Sequence, residues 1–299
     1  NQGYEKLKKE IKINSSYINI EKIENENYFL DYQFEKKING IIIETKDAFN
    51  QDLTKKLLYL SNSRTQIYSV EEWCENILLR VPPSIINESN ILTNKYLKKR
   101  GSHSLKIKRL GDILLSSIIL LVAFPLLLII SLLIYLEDKG HILYKQDRVG
   151  FMGCKIKIIK FRSMCINAEK DGVQWSKNND QRITRIGKFI RKTRLDELPQ
   201  LISVIKGDMT LIGPRPERKY FEDTLSKEIE FYYLRHLMKP GLSGWAQVNY
   251  PYGASKKDAE IKLSYEIYYL LNFSILLDFL ILIKTIKLVW KAEGAVANN

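Results

Sequence analysis

Residues 113–136 read ILLSSIILLVAFPLLLIISLLIYL, 24 positions without a single charge. As an α-helix rising about 1.5 Å per residue the segment is roughly 36 Å long, enough to cross a hydrocarbon core of about 30 Å. A buried helix of a soluble domain is seldom so long and so uniformly apolar, so the segment is expected to enter a membrane. Both flanks are basic: Lys98, Lys99, Arg100, Lys106, Lys108 and Arg109 precede it, and Lys145, Arg148, Lys155, Lys157, Lys160 and Arg162 follow, after Glu137 and Asp138. Basic flanks favour the cytoplasmic side, and a single crossing puts one of them outside. Pro125 lacks an N–H and disfavours helical geometry at Phe124, which could fold the segment back as a re-entrant hairpin; proline is also common in spanning helices. On these residues alone the two topologies stand even.

The rest of the chain bounds the answer. Its 299 residues suffice for two modest domains, or for one domain with membrane elements. A hydrophobic share of 45% beside a charged share of 27% excludes disorder and a polytopic membrane bundle. Lys and Arg outnumber Asp and Glu by 47 to 34, a net charge of +13 that calls for an anionic partner: nucleic acid, phospholipid or a phosphorylated substrate. The excess is local, with 16 basic and 14 acidic side chains in residues 1–100 but 12 and 5 in residues 151–200. Three cysteines without CxxC spacing argue against a disulfide framework or zinc site, and three scattered histidines against a histidine-based metal site or triad. The chain opens at Asn1 without an initiating Met, as expected for a piece of a longer gene product, and shows no signal peptide there.

Upstream of the apolar segment the pattern is α/β. Residues 27–34, 41–44 and 66–70 read as strands; residues 48–60, with Phe49, Leu53, Leu57 and Leu60 at helical spacing and Asp47 as N-cap, read as a helix, as do 71–79. Strand–helix–strand order implies a small parallel sheet, and no glycine-rich phosphate loop follows these strands. Residues 1–80 are therefore read as a small accessory domain and 81–104, with Pro82, Pro83 and a basic run, as the linker. Downstream, 141–144 and 155–160 are expected as short strands about a turn at 150–153, with 182–206 mainly helical, 239–249 a loop or short strand and 258–271 a helix. Residues 273–290 are apolar but hold Asp278, Lys284 and Lys287, which suits a helix lying at the membrane interface with its charges kept wet.

Three clusters could carry chemistry. Lys160-Phe161-Arg162-Ser163-Met164 alone reads as an amphipathic strand. Residues 191–200, RKTRLDELPQ, could be surface ion pairs, yet consecutive helical residues point about 100° apart. Asp196 and Glu197 can thus divide labour, one facing a reacting phosphorus and one a cation, while the arginines bind phosphate and keep a nearby carboxylate ionised. In Gly213-Pro214-Arg215-Pro216-Glu217, two prolines hold the backbone around an arginine stiff. Together the clusters indicate a diphosphate-containing substrate handled at a bilayer surface.

In this order, KFRSM (160–164), RKTRLDELPQL (191–201), KGDMTLIGPRPE (206–217) and KPGLSGWAQVN (239–249) strongly resemble the bacterial sugar transferases, the monotopic polyprenyl-phosphate hexose-1-phosphate transferases. The resemblance covers about residues 106 to 291, and the tail at 252–287 is similar to the exopolysaccharide-initiation branch. It implies a membrane-associated α/β (α+β) protein: an accessory domain (1–80), a linker (81–104), a re-entrant helix-break-helix at 105–138 broken at Phe124 and Pro125, a mainly helical catalytic domain with short strands at 139–291 ending in an interfacial helix, and a tail at 292–299. The activity implied is transfer of a sugar-1-phosphate from a UDP-sugar to polyprenyl (undecaprenyl) phosphate with release of UMP, through a covalent intermediate on Asp196. Glu197 would hold Mg²⁺, while Lys160, Arg162, Arg191 and Arg215 would cradle phosphates. Membrane phospholipid is a further implied partner and a homodimer is compatible with the family, whereas nucleic acid is not expected. The implied location is the bacterial inner (cytoplasmic) membrane, with the catalytic domain on the cytoplasmic face. Two departures stand out: Tyr250-Pro251-Tyr252-Gly253 where many members have Gly-Arg after Gln-Val-Asn, and Glu266 where Asp is common. The competing readings are a metal-dependent glycosyltransferase that moves the sugar alone and releases UDP, and a basic membrane scaffold, which has no need of the Asp196–Glu197 pair.

Overall fold

The computed structural model describes residues 2–14, 18–23, 29, 39–44, 50–62, 65–86, 102–168, 170, 172, 180–250, 253 and 255–290. The chain divides into two compact units, Asn1–Asn87 and Glu88–Asn299.

In the first unit, α1 (Gln2–Asn14), β1 (Gly40–Ile43), α2 (Gln51–Asn62), β2 (Gln66–Ser69) and α3 (Val70–Trp73) follow in order, the last running into a π-helical turn, Cys74–Leu78. β1 and β2 pair in parallel, Gly40 opposite Gln66, as strand–helix–strand order demands. Leu53 and Leu57 of α2 pack with Phe29 beneath the sheet residues Ile41, Ile43 and Ile67. Leu7 and Ile11 of α1 pack with Trp73 and Cys74, and the buried Arg80 reaches Glu10 at 2.5 Å. Ser69 closes a capping box with Glu72 at the start of α3. The strand expected over 27–34 lies outside the described residues apart from Phe29, which has helical backbone; the N-cap Asp47 and most of the linker lie outside them too. Val81 and Pro83, read from sequence as linker, are buried.

The second unit opens with the long helix α4 (Ser102–Asp138). Its stretch His103–Asp138 reaches a mean hydropathy of 3.0, and only 11% of its most apolar window is buried, which sets it apart from a core helix. Helical backbone runs through Pro125, where the missing N–H leaves the Leu121 carbonyl without its usual donor. The helix touches the rest of the unit near both ends. Near its start, Arg109 donates to the carbonyls of Val204 (2.5 Å) and Ile205 (2.6 Å), and the buried Asp112 accepts from Thr210 Oγ1 (2.6 Å) and the Leu211 N–H (3.2 Å). Lys108 donates to the Ile212 carbonyl (3.0 Å) and pairs with Asp278 (2.6 Å). Near its end, Ile130 and Ile134 pack on Phe161 and Ile190, and Glu137 accepts from the backbone N–H of Arg185 at 2.8 Å. Between these contacts Leu121, Val122, Phe124, Leu128 and Ile129 are bare.

After α4, β3 (Leu143–Val149) and β4 (Lys155–Phe161) form an antiparallel hairpin about a turn that includes Phe151–Gly153. α5 (Arg185–Lys192), a 3₁₀-helix Leu195–Gln200 and α6 (Leu201–Lys206) follow, then β5 (Thr210–Ile212), α7 (Lys219–Glu228), a 3₁₀-helix Tyr232–Leu237 and β6 (Gly241–Ser243) parallel to β5. α8 (Trp245–Asn249), α9 (Lys256–Asn272) and α10 (Ile275–Trp290) complete the unit. The result is helix-dominant with short strands. α9 supplies much of the core through Leu263, Ile267, Tyr269, Leu270 and Leu271. α10 bares Leu276, Phe279, Ile283, Ile286 and Trp290. Its Asp278 is not kept wet as the sequence implied: Lys108 and the Tyr269 hydroxyl draw it inward, because burying the pair leaves neither charge alone.

Asp112→Ala strands the Thr210 hydroxyl and the Leu211 N–H. It is expected to cost about 1–3 kcal/mol, read as a drop of several degrees in Tm in detergent; an unchanged Tm contradicts this role.

Candidate active site

A change of helix type places the two acids. α5 ends at Lys192 with Thr193 as its C-cap, and Arg194 adopts a left-handed backbone (φ 60°), sparsely populated for a residue with a side chain. The chain re-enters as the 3₁₀-helix Leu195–Gln200, in which neighbours point about 120° apart. Asp196 and Glu197 therefore face different surroundings although both are buried.

Glu197 faces cations. Its Oε1 accepts from Lys160 Nζ on β4 at 2.9 Å and from Arg215 Nη2 at 2.6 Å, and Arg194 lies 3.8 Å away. Burial opposes its ionisation, but Arg215 and Lys160 outweigh burial and hold its carboxyl well below the usual carboxylate range. Asp196 differs: its Oδ1 is buried without a hydrogen-bond partner. Burial first, and then the charge of Glu197, push its carboxyl up to about 6, against the pull of Lys160, Arg194 and Arg191. The cations expected to keep a nearby carboxylate ionised thus serve Glu197 directly, and Asp196 only at a distance.

Arg215 is delivered by a tightly held turn. Gly213 N–H donates to the Ser243 carbonyl (2.8 Å) and Gly241 N–H to the Pro214 carbonyl (2.8 Å). A Cβ on Gly241 would stand 2.1 Å from Gly213 N, so only glycine allows the β6 backbone this close. Lys160, Arg215, Asp196 and Glu197 are brought together as the sequence implied, and Arg191 acts on Asp196 through its charge. Arg162 is not brought there. It pairs with Asp138 at the end of α4, because β4 stops at Phe161 and the alternation that would align Arg162 with Lys160 ends with it. Arg194 was missed although it stands within the quoted motif. Gln200, buried with its Nε2 unpartnered and one 3₁₀ turn beyond Glu197, was missed too; i and i+3 eclipse in this helix type, a spacing that could have marked it. At the departure noted for residues 250–253, Tyr250 donates to Asp258 at the start of α9 (2.8 Å).

As to metal, among the described residues no group of three or more His, Cys, Asp or Glu is gathered to hold an ion. Two adjacent carboxylates, one with an orphaned oxygen, are hard donors of the kind that holds Mg²⁺ together with substrate phosphates. They suit such an ion only once Lys160 and Arg215 release Glu197.

Two buried carboxylates thus stand among cations, on a body fastened to a long apolar helix compatible with membrane association. Residues 103–292 match the family model of the bacterial sugar transferases, and the chain belongs to that family. It is 49% identical over 189 residues to a UDP-N-acetylgalactosamine-undecaprenyl-phosphate N-acetylgalactosaminephosphotransferase of Aeromonas hydrophila, covering 63% of this chain and 45% of the relative. To a UDP-glucose:undecaprenyl-phosphate glucose-1-phosphate transferase of Klebsiella pneumoniae it is 40% identical over 181 residues, 60% of this chain and 39% of the relative. An uncharacterized sugar transferase of Haemophilus influenzae matches at 32% over 283 residues, 87% of this chain and 57% of the relative. The chain spans less than half the length of the first two.

Inorganic pyrophosphate is expected to bind this cation cluster. Arg215→Ala should weaken it roughly tenfold or more, the worth of one charge-assisted hydrogen bond, and Arg162→Ala less than about twofold because Arg162 is committed to Asp138. Isothermal titration checks this, and equal losses would contradict the assignment.

Proposed function

We propose that this chain moves a sugar-1-phosphate from a UDP-sugar to undecaprenyl phosphate through a covalent intermediate on Asp196. The observation that carries the reading is the contrast within the acid pair: Glu197 is saturated by Lys160 and Arg215, whereas Asp196 keeps a buried oxygen with no partner. A poorly solvated carboxylate with a free lone pair is a competent nucleophile toward phosphorus. Asp196 Oδ1 attacks the β-phosphorus; the bond from that phosphorus to the bridging oxygen breaks and UMP departs with the electron pair. A phosphate oxygen of the polyprenyl acceptor then attacks the same phosphorus, the bond to Asp196 breaks, and the carboxylate is restored. Lys160, Arg194 and Arg215 offset the charge that builds on the equatorial oxygens, and Arg191 favours the ionised form of Asp196. As the diphosphate draws Lys160 and Arg215 onto its own oxygens, Glu197 becomes available and would hold Mg²⁺. That ion, when bound, would neutralise phosphate oxygens.

The same geometry supports a re-entrant helix. Arg109 and Glu137 both dock on one body, yet 28 residues of straight helix would separate them by about 42 Å and carry one across the bilayer. A bend at Phe124–Pro125 lets both ends stay on one face, and the basic flanks make that face the cytoplasmic side of the inner membrane. With the bare face of α10 lying at the interface, the site sits at headgroup depth, where a soluble nucleotide sugar and a lipid phosphate can both reach it. The unit Asn1–Asn87 is an accessory domain in this reading.

The direct test incubates the chain in nanodiscs with UDP-N-acetylgalactosamine or UDP-glucose and undecaprenyl phosphate. Release of UMP is expected; UDP as product would identify a transfer of sugar alone. Asp196→Asn should lower turnover at least about a thousandfold while the chain stays membrane-bound, and substantial residual turnover would refute the covalent step. Pro125→Leu is expected to straighten α4 and expose one terminus on the far side; identical protease accessibility in sealed vesicles would count against the hairpin.

A further inference from the structure

Arg215 is only as well placed as its backbone, and that backbone is held from outside at every step. The four successive carbonyls of residues 214–217 each accept a hydrogen bond from elsewhere: Pro214 from Gly241 N–H (2.8 Å), Arg215 from Arg235 Nη2 (2.7 Å), Pro216 from Arg148 Nη1 (3.2 Å) and Glu217 from Val149 N–H (3.0 Å). Two of the donors are main-chain amides and come with the strands. The donor at Arg215 itself is a buried guanidinium, a costly group to place inside a protein without a dedicated partner.

The buried Glu222 stands 3.6 Å from Arg235 Nη1, but the carboxylate that accepts its hydrogen bonds is Glu266 on α9. Its two oxygens take Arg235 Nε and Nη2, both at 3.0 Å, while Nη1 donates to the Tyr232 hydroxyl at 2.6 Å. The planar guanidinium thus has its orientation fixed by a fork-to-fork pair, and one of the same nitrogens reaches the Arg215 carbonyl. We propose that the Arg235–Glu266 pair is a positioning device that sets the Arg215 guanidinium against Glu197 and the diphosphate, so that a carboxylate on α9 governs the site without touching it. A pair kept for packing alone would be matched by apolar side chains of similar volume, and its loss would not depend on Arg215. This inference rests on the transfer proposed above for its kinetic form, but its binding form stands independently.

The test is a double-mutant cycle on the full chain in nanodiscs, comparing the unmodified protein, Glu266→Asp, Arg215→Ala and the double variant. Glu266→Asp keeps the charge and shortens the reach by one methylene. With Arg215 present it should weaken inorganic pyrophosphate binding at least about threefold and lower kcat/KM at least about tenfold; with Arg215→Ala both ratios should fall within about twofold. Arg235→Lys, run through the same cycle, should behave alike, and serves where Glu266→Asp proves too unstable to assay. Equal factors in both backgrounds, or no effect in either, overturn the proposal. Should UMP release fail while the pyrophosphate cycle shows coupling, the transfer is refuted and the positioning role stands.

Discussion

A buried carboxylate shared between two cations organises this molecule. Glu197 cannot sit ionised inside the protein unless its charge is met, and the groups that meet it come from far apart in the chain: Lys160 from β4 and Arg215 from the turn after β5. Satisfying that one side chain therefore fixes the hairpin, the 3₁₀-helix and the proline-bracketed turn against one another. It also decides the character of its neighbour. With the cations spent on Glu197, Asp196 is left buried, close to a negative charge and short of a partner for Oδ1, the contrast on which the proposed nucleophilic role rests.

The apolar helix is bound into the same arrangement. Arg109 closes off the carbonyls at the end of α6, directly after the dyad's helix, and Lys108 holds the Ile212 carbonyl three residues before Arg215. At the other end Glu137 meets the first N–H groups of α5, a favourable place for an anion. The apolar helix is thus bonded to the helices on either side of the acid pair and to the strand that leads into the Arg215 turn. The transfer proposed above, from a soluble donor to a lipid acceptor, would draw on that linkage.

What the sequence disclosed was what depends on neighbours in the chain. The apolar run at 113–136 announces itself by composition, and the hairpin by its turn at 150–153, although its first strand, expected at 141–144, runs over Leu143–Val149. The adjacent acids and the GPRP turn were visible as motifs. Hidden were the choices made by long side chains between alternative partners. Arg162 and Lys160 look equivalent two residues apart, and only the end of β4 at Phe161 separates them. Asp278 reads as an interfacial charge until Lys108, 170 residues away, is brought beside it. Glu266 reads in sequence as one more acid in a helix; in three dimensions it spans to Arg235, 31 residues away.

The most direct measurement is the mass of the intact protein after mixing with a UDP-sugar in the absence of any lipid acceptor. A gain equal to one sugar-phosphate group, mapped by peptide fragmentation to Asp196 and removed when undecaprenyl phosphate is added, is the expected result. A protein that turns over with acceptor present, yet never carries that mass when the acceptor is withheld, would contradict the covalent account.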